Sequence, residues 1–570
     1  MTCAAKSGHP TSSCSAAEII ATLFFNEMRL SVASPKSPSA DRFVLSKGHA
    51  CPVLYAAWHQ AGHISTADMM NIRKLTCDLE GHPTPRLDFI DVATGSLGQA
   101  FASYNKLDNL VAIVDMNRLG QTQQTMLGHD ADALAKRFES FGCHTVVVDG
   151  SNVEELLNAY NSARQTKGRP TAIVAKTLKG KGIVGIEDEV GFAAIDYVLD
   201  NWHGKPVPED VIEAIEQRLI SKTDIIGKLE IKSPVNDVAN VQLPIGQIKM
   251  TSPEYKHGDK IATRQAYGTA LAKLGDAYPR IIGLDGDTKN STFSEKLLKK
   301  HPEQFVECFI AEQNLVGVAV GLQCRDRAIP FTSTFAAFFT RAADQLRMAA
   351  VSFANIKCVG SHVGVSIGED GPSQMGLEDI ALFRTIPGSI VFYPSDAVST
   401  ERATELAANT RGIAYIRTGR PACPVIYSND EKFEIGKGKI VYDASKPKVL
   451  IIGAGVTLHE ALKAADKLKS ENVEVIVMDP FTIKPLDKDL ILKSAKKAGN
   501  CIITVEDHYQ AGGIGEAVCQ SVSDQKDIRV RSLFVLDMPH SGPPDALLEK
   551  YGISAKCIVD AVHQFIHPPN

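Results

Sequence analysis

The chain has 570 residues, 44% hydrophobic and 22% charged, with 61 Lys and Arg against 66 Asp and Glu for a net charge of −5. This is the composition of a soluble globular protein with room for three or four domains at roughly 150 residues each. The slight acidity argues against a nucleic-acid groove or an anionic membrane surface as main partner. Twelve cysteines, from Cys3 to Cys557, form no C-x-x-C pair and no dense cluster. They suggest neither a disulfide framework nor a zinc site and fit a reducing cytoplasm. No apolar leader opens the chain, and no run of roughly 18 apolar residues predicts a membrane span.

Short β-branched runs alternate with amphipathic helical stretches, the pattern of parallel α/β architecture. The first block predicts strands at Leu110–Val114, His144–Val148 and Thr171–Ala175, with helices at Ala131–Phe141 and Val153–Ala163 between them. Between about Thr223 and Lys260 the pattern gives way to Pro-rich, polar sequence that reads as a linker. The second block predicts strands at Arg280–Leu284, Pro330–Thr334, Ile356–Gly360, Ser389–Tyr393 and Ile413–Ile416. After a break near Glu431 to Lys439, the third block adds Lys448–Ile452, Val473–Val477 and Cys501–Val505. The expected boundaries are 1–225, a linker at 226–257, then 258–430 and 431–570. No short-period repeat suggests a solenoid.

Glu312 follows the β-like run Phe305–Ala311 and precedes the apolar helix start Leu315–Leu322, so it is predicted to lie between two apolar walls. Burying a carboxylate is costly unless it is paired or put to use; the plainer alternative is a carboxylate at the first turn of the helix. Gly453-Ala454-Gly455 lacks a third fingerprint glycine, because Leu458 stands there, and is better read as a strand-to-helix turn than as a dinucleotide site. Gly512-Gly513-Ile514-Gly515 is a similar turn at a helix N-terminus, with anion binding as the alternative. His9, His49, His82, His203 and His362 all lie in glycine-containing turns. One such histidine is ordinarily surface; five predict the rim of a polar pocket, and no spacing among them suits zinc. Arg264, Ser291 and Arg420 make a candidate phosphate clamp, although spacing alone does not bring them together. Asn117 follows a strand end, where its amide oxygen can face a hard cation or simply close a turn.

Taken together, these segments resemble the transketolase family of thiamine diphosphate enzymes, in particular the animal transketolases and their transketolase-like relatives. The resemblance rests on Ser7–Ser12, Leu45–Ala50, Asp91–Gln99, Gly283–Ser294, Ile310–Asn314, Gly368–Gln374 and Val505–His508. It implies three doubly wound α/β domains: a diphosphate-binding domain, a pyrimidine-binding domain and a C-terminal domain. It further implies that Glu312 hydrogen-bonds the aminopyrimidine ring nitrogen of the cofactor, that Phe338 stacks on that ring, and that Gln374 lines the same pocket. Ser12, His49, Gly95, Ser96, Leu97, Asn117 and Lys179 match cofactor-contacting positions. Asn117 and the carbonyl of Leu119 match ligands of a bridging Mg2+ or Ca2+. His9, His203, Arg264, Ser291, His362, Asp370 and Arg420 match positions that bind sugar phosphates, with His9 and His203 also expected to stabilise alkoxides and relay protons. The implied assembly is a homodimer with cofactor sites at the subunit interface, and the implied reaction moves a two-carbon ketol unit between sugar phosphates.

The sequence departs from the family pattern in three places. The family's diphosphate motif opens with Gly-Asp-Gly on a strand, but here Gln99 passes directly to Ala100, where the family has a few tens of further residues. The expected consequences are a first domain lacking a central strand, a lost aspartate ligand, poor thiamine diphosphate binding and little ketol transfer. A transcript or splicing artefact and a natural pseudoenzyme acting in dimerisation or partner binding are the competing explanations. The run Val190–Leu199 is an insertion that bears on the placement of His203, and the family's opening helix is not in the sequence. Related ketol transferases acting on other acceptors are separable by assay.

Overall fold

The computed structural model describes residues 1–93, 99–121, 123–183, 187, 203–207, 209–220, 229–236, 238–239 and 241–567. It divides into two compact units, Met1–Asn240 and Val241–Asn570.

The first unit holds three parallel strands, β1 (Val111–Met116), β2 (His144–Asp149) and β3 (Thr171–Lys176), in the order β1-β3-β2. The strands lie where the β-branched runs predicted. Central β3 is buried on both faces, which is why it reads as a continuous apolar run. Its alternate residues face opposite layers. Ile173 packs with Leu156 and Tyr160 of helix Val153–Gln165, while Val174 packs with Phe138 of helix Ala131–Ser140. Among the described residues β1 is an edge strand, with Leu110 and Val111 exposed.

The second unit has two principal sheets. One contains β4 (Ile281–Asp285), β5 (Phe305–Glu307), β6 (Ile329–Phe335), β7 (Lys357–Ser361), β8 (Ile390–Phe392) and β9 (Ala414–Arg417). The other begins with β10 (Lys439–Tyr442), β11 (Val449–Gly453) and β12 (Val475–Asp479). The chain then returns: β13 (Thr482–Lys484) pairs antiparallel with β8 and completes the seven-stranded order β13-β8-β9-β7-β6-β4-β5. β14 (Cys501–Tyr509) and β15 (Arg529–Val535) finish the five-stranded sheet, β10-β12-β11-β14-β15.

Several sequence expectations need correction. Only Phe305–Glu307 of the run before Glu312 is strand; the chain then turns, with Phe309 at φ 58° and Phe309 and Ile310 exposed, so one of the two apolar walls is absent. The described residues of the expected linker make defined contacts. Leu30 N–H donates to the Lys232 carbonyl at 2.8 Å in the first unit, and Leu243, Ile248 and Met250 are buried in the second, where Asn409 hydrogen-bonds both backbone groups of Ile248. All twelve cysteines are free, and no described helix is long and apolar enough to cross a membrane.

One buried ion pair fastens the second unit. The Arg417 guanidinium, fully buried at the end of β9, donates to Asp379 at 2.7 and 3.1 Å and to the carbonyls of Gly376 and Asp507 at 2.9 and 2.8 Å. It also lies over the Tyr393 ring at 4.5 Å. Burial alone would raise the Asp379 carboxyl, but Arg417 beside it brings it below its ordinary value. Removing one partner leaves an uncompensated buried charge, so Arg417→Met is expected to destabilise the second unit by about 3–5 kcal/mol in denaturant unfolding. A loss under about 1 kcal/mol, as for an exposed pair, would contradict this account.

Candidate active site

The candidate residues fall into one cluster in each unit. In the first, His9 precedes the short helix Pro10–Cys14, and its ring meets those of His49 and His203 at centroid distances of 5.0 and 4.8 Å; the last two lie 5.1 Å apart. Gly204, at φ 78°, makes the close approach possible, since a Cβ there would lie 3.3 Å from His9 Nε2. Burial, reinforced by neighbouring positive groups, lowers all three imidazoles, His49 and His203 to about 4. They are therefore neutral at neutral pH. His9 Nδ1 is buried without a partner among the described residues.

β1 and β3 run parallel and in register, Met116 beside Lys176, so the loops leaving them emerge together. Asp115, at the end of β1, is paired with Lys47 and accepts from Thr177 Oγ1, from Ser15 Oγ at 2.7 Å and from Asn117 Nδ2 at 3.3 Å. Burial works against its charge, yet Lys47 and the hydroxyls hold its carboxyl below the ordinary value. Asn117 Oδ1 accepts the Leu119 N–H at 3.2 Å. Lys47 also donates to the buried Ser12 at its carbonyl, 3.0 Å away. Lys179, only 4% exposed, donates to the Gly120 carbonyl at 2.9 Å and to His203 Nδ1 at 2.7 Å, with the Leu119 carbonyl at 3.5 Å. Its pKa falls to about 8, through burial first and Lys47 second.

In the second unit Glu312 opens the helix Glu312–Gln323 and is 5% exposed. Its charged neighbour is Arg341, 3.5 Å away, which also lies 5.5 Å from the centre of the Phe338 ring. Phe338 stacks on Phe335 at 5.1 Å, and Phe335 on His362 at 3.7 Å. Arg264 Nη1 donates to the Ser291 carbonyl at 3.0 Å and approaches His362 Nε2 at 3.5 Å, while His362 Nδ1 meets Ser361 Oγ at 2.9 Å. Burial, then the charges of Arg264 and Arg420, depress His362 to about 3. Arg420 pairs with Asp370 at 2.8 Å and donates to the Ile367 carbonyl at 2.9 Å. Arg264 Nε is buried with no partner among the described residues. Two guanidinium groups near a neutral imidazole, one with an unused donor, suit an anion. Ser291 meets Arg264 through its carbonyl. Gln374 is half-buried, in contact with Ser373 at 3.5 Å.

The loop after His362 is held from β14. Asp507 accepts the Val365 N–H at 2.7 Å, and Gly364 must be glycine because a Cβ would lie 2.0 Å from that carboxylate. Glu506 caps the helix Ile514–Val522 by accepting from Ile514 and from Gly515, the latter at 2.9 Å, so the protein's own carboxylate fills the anion position suggested for the Gly512–Gly515 turn. Gly455, at φ 57°, ends the turn after β11 as predicted.

Gly95, Ser96, Leu97 and the 190–199 run lie outside the described residues. Sequence reasoning passed over Lys47, Asp115 and Arg341. Lys47 stands inside Leu45–Ala50 and Asp115 two residues before Asn117, whereas Arg341 has no local signal.

A parallel α/β fold with a buried carboxylate, a polar imidazole cluster and a two-arginine clamp defines the class of thiamine diphosphate-binding proteins when set beside the family comparisons. The model of the transketolase thiamine diphosphate binding domain matches in two stretches, residues 2–105 and 99–223; the transketolase pyrimidine binding domain matches 259–425 and the transketolase C-terminal domain 438–558. Mouse transketolase is 53% identical over 606 residues, covering 98% of this chain and 94% of the mouse protein. Human transketolase-like protein 2 is 53% identical over 602, with 98% and 94% covered. The solved structure of transketolase from Leishmania mexicana shares the fold, with a TM-score of 0.82 at 20% identity over 99% of this chain and 95% of that one. The chain belongs to the transketolase family.

The depressed imidazoles give the first unit a pH signature. Between the ordinary value of 6.5 and about 4, the unfolded chain binds protons at His49 and His203 that the folded chain does not, so stability falls as pH drops through that window. The His49→Gln variant is expected to show a shallower loss of Tm between these values in thermal melts; an unchanged slope would contradict the burial of a neutral imidazole.

Proposed function

We propose that this chain is a transketolase that moves a two-carbon ketol unit from a ketose phosphate to an aldose phosphate, as between xylulose 5-phosphate and ribose 5-phosphate in the pentose phosphate pathway. The observation that carries the reading is the convergence of Arg264, Ser291, His362, Asp370 and Arg420, far apart in sequence, into one clamp in the unit that also buries Glu312. The 53% identity to mouse transketolase supports it.

Thiamine diphosphate, when bound, supplies a carbon acid and an electron sink for the transferred unit. The buried Glu312 and the unpartnered His9 Nδ1 and Arg264 Nε fit such a ligand and its substrate. In this reading Glu312 hydrogen-bonds the aminopyrimidine ring nitrogen, Phe338 packs on that ring, and Gln374 lines the same pocket. Ser12, His49 and Lys179, with Gly95, Ser96 and Leu97, contact the cofactor. Arg264, Ser291, His362 and Arg420 hold the terminal phosphate of the sugar, and Asp370 orients a hydroxyl. His9 and His203, neutral at working pH, donate to substrate oxygens and take up protons there. Phe309 and Ile310, exposed beside Glu312, support a homodimer in which a second chain covers them. The free cysteines support a cytoplasmic location.

The divalent cation, Mg2+ or Ca2+, is the part of the reading that these residues do not fit. Such ions take six or more oxygen ligands, usually including carboxylates. Asn117 Oδ1 and the Leu119 carbonyl are the two candidate oxygens, Asp115 is already paired, and no cluster of three His, Cys, Asp or Glu side chains suited to a metal occurs among the described residues. The 606-residue alignment exceeds the 570 residues of this chain, which supports gaps in it, and the break of the diphosphate-domain match near residue 99 supports a missing segment there.

A coupled assay with a ketose phosphate donor and an aldose phosphate acceptor is expected to detect slow transfer that depends on thiamine diphosphate. Glu312→Gln is expected to lose about 10²–10⁴-fold in kcat. Arg420→Ala is expected to raise KM for the phosphorylated sugar by roughly 10–100-fold, the worth of one charge-assisted contact. Absence of transfer at saturating cofactor, or equal rates for Glu312→Gln and the parent chain, would contradict the proposal.

A further inference from the structure

We propose that the Lys179 ammonium takes the place of the divalent cation in this chain, so that it binds a diphosphate without metal. The inference rests on the cofactor reading above and deepens it.

The geometry is that of a cation already in its cage. Nζ lies 2.9 Å from the Gly120 carbonyl, 3.5 Å from the Leu119 carbonyl and 2.7 Å from His203 Nδ1, one acceptor for each of its three N–H donors. The cage follows from the topology. Lys179 leaves β3 and the Asn117–Gly120 loop leaves β1, and these adjacent parallel strands deliver both to one edge of the sheet. At 4% exposure the side chain has little freedom to swing away.

Among the described residues, the side-chain oxygens nearest the Leu119 carbonyl are committed elsewhere. Asn117 turns its amide oxygen onto the Leu119 N–H and its nitrogen onto Asp115. Asp115 in turn accepts from Lys47, Thr177, Ser15 and Asn117, so it is saturated by donors and neutralised by an ammonium. A divalent ion placed on the Leu119 carbonyl would sit against the Lys179 ammonium, and like charges at that separation in a partly dry site repel strongly. A diphosphate meets the opposite situation. Lys47 is spent on Asp115, whereas Lys179 rests on neutral acceptors and can exchange the longest of them, the Leu119 carbonyl at 3.5 Å, for a phosphate oxygen. A tethered monovalent cation neutralises less phosphate charge than a divalent ion, in keeping with the weak cofactor binding expected from the sequence.

The test is calorimetric titration of the full chain with thiamine diphosphate, once in excess EDTA and once with Mg2+. Equal dissociation constants are expected. Lys179→Met is expected to weaken binding roughly 10–100-fold in both buffers, and Lys179→Arg, which keeps the charge, to restore part of it. Thermal melts of both variants confirm that they fold, and the EDTA comparison on the parent chain needs no variant at all. Binding that requires Mg2+ would overturn the inference and leave the transketolase reading standing. EDTA-insensitive binding that survives Lys179→Met unchanged would show that another group supplies the charge and would overturn it as well. No binding in either buffer would overturn both this inference and the cofactor reading.

Discussion

The geometry of the second unit depends on Arg417. A fully buried guanidinium has no water to fall back on, and the acceptors that its Nε and Nη2 find lie on different segments: Asp379, the Gly376 carbonyl and the Asp507 carbonyl, while Nη1 has no partner among the described residues. The cost of burying the charge is offset only if all three stay in place. That requirement fixes the end of β9, the loop between His362 and Gly376, and β14 with respect to one another. Asp507 then reaches from β14 to the Val365 N–H, beside His362. The cluster of Arg264, His362 and Arg420 is thus built on a constraint outside it.

The first unit follows a different electrostatic logic. Its polar groups are arranged around two lysines, Arg73 and three imidazoles, and burial keeps the imidazoles neutral so that the positive charge lies on the ammonium groups and the guanidinium. Asp115 consumes Lys47 and leaves Lys179 as the charge with neutral neighbours.

Much of this was legible in the sequence, for identifiable reasons. β3 is buried on both faces and advertises itself as an unbroken apolar run; β11 and β14 do the same. The turn at Gly455 was readable from its glycines. β13 was not, because three residues are too few to show a period and the strand pairs with β8, ninety residues earlier in the chain. The strand expected through Ala311 stopped at Glu307, since Phe309 takes a left-handed conformation that hydropathy does not encode. At the site, motif residues such as His9, Lys179 and Arg420 were found from the sequence. Their partners were not: nothing near Glu312 in sequence announces Arg341, and the neutralisation of Asp115 by Lys47 joins segments far apart in the chain.

The central claim is that Glu312 prepares bound thiamine diphosphate for ketol transfer. The most direct measurement is the rate at which the thiazolium carbon proton of the bound cofactor exchanges with deuterium, read by NMR after rapid acid quench. The account predicts exchange much faster than in free cofactor and a return toward the free rate in Glu312→Gln. Exchange at the free rate in the parent chain with cofactor bound would contradict it.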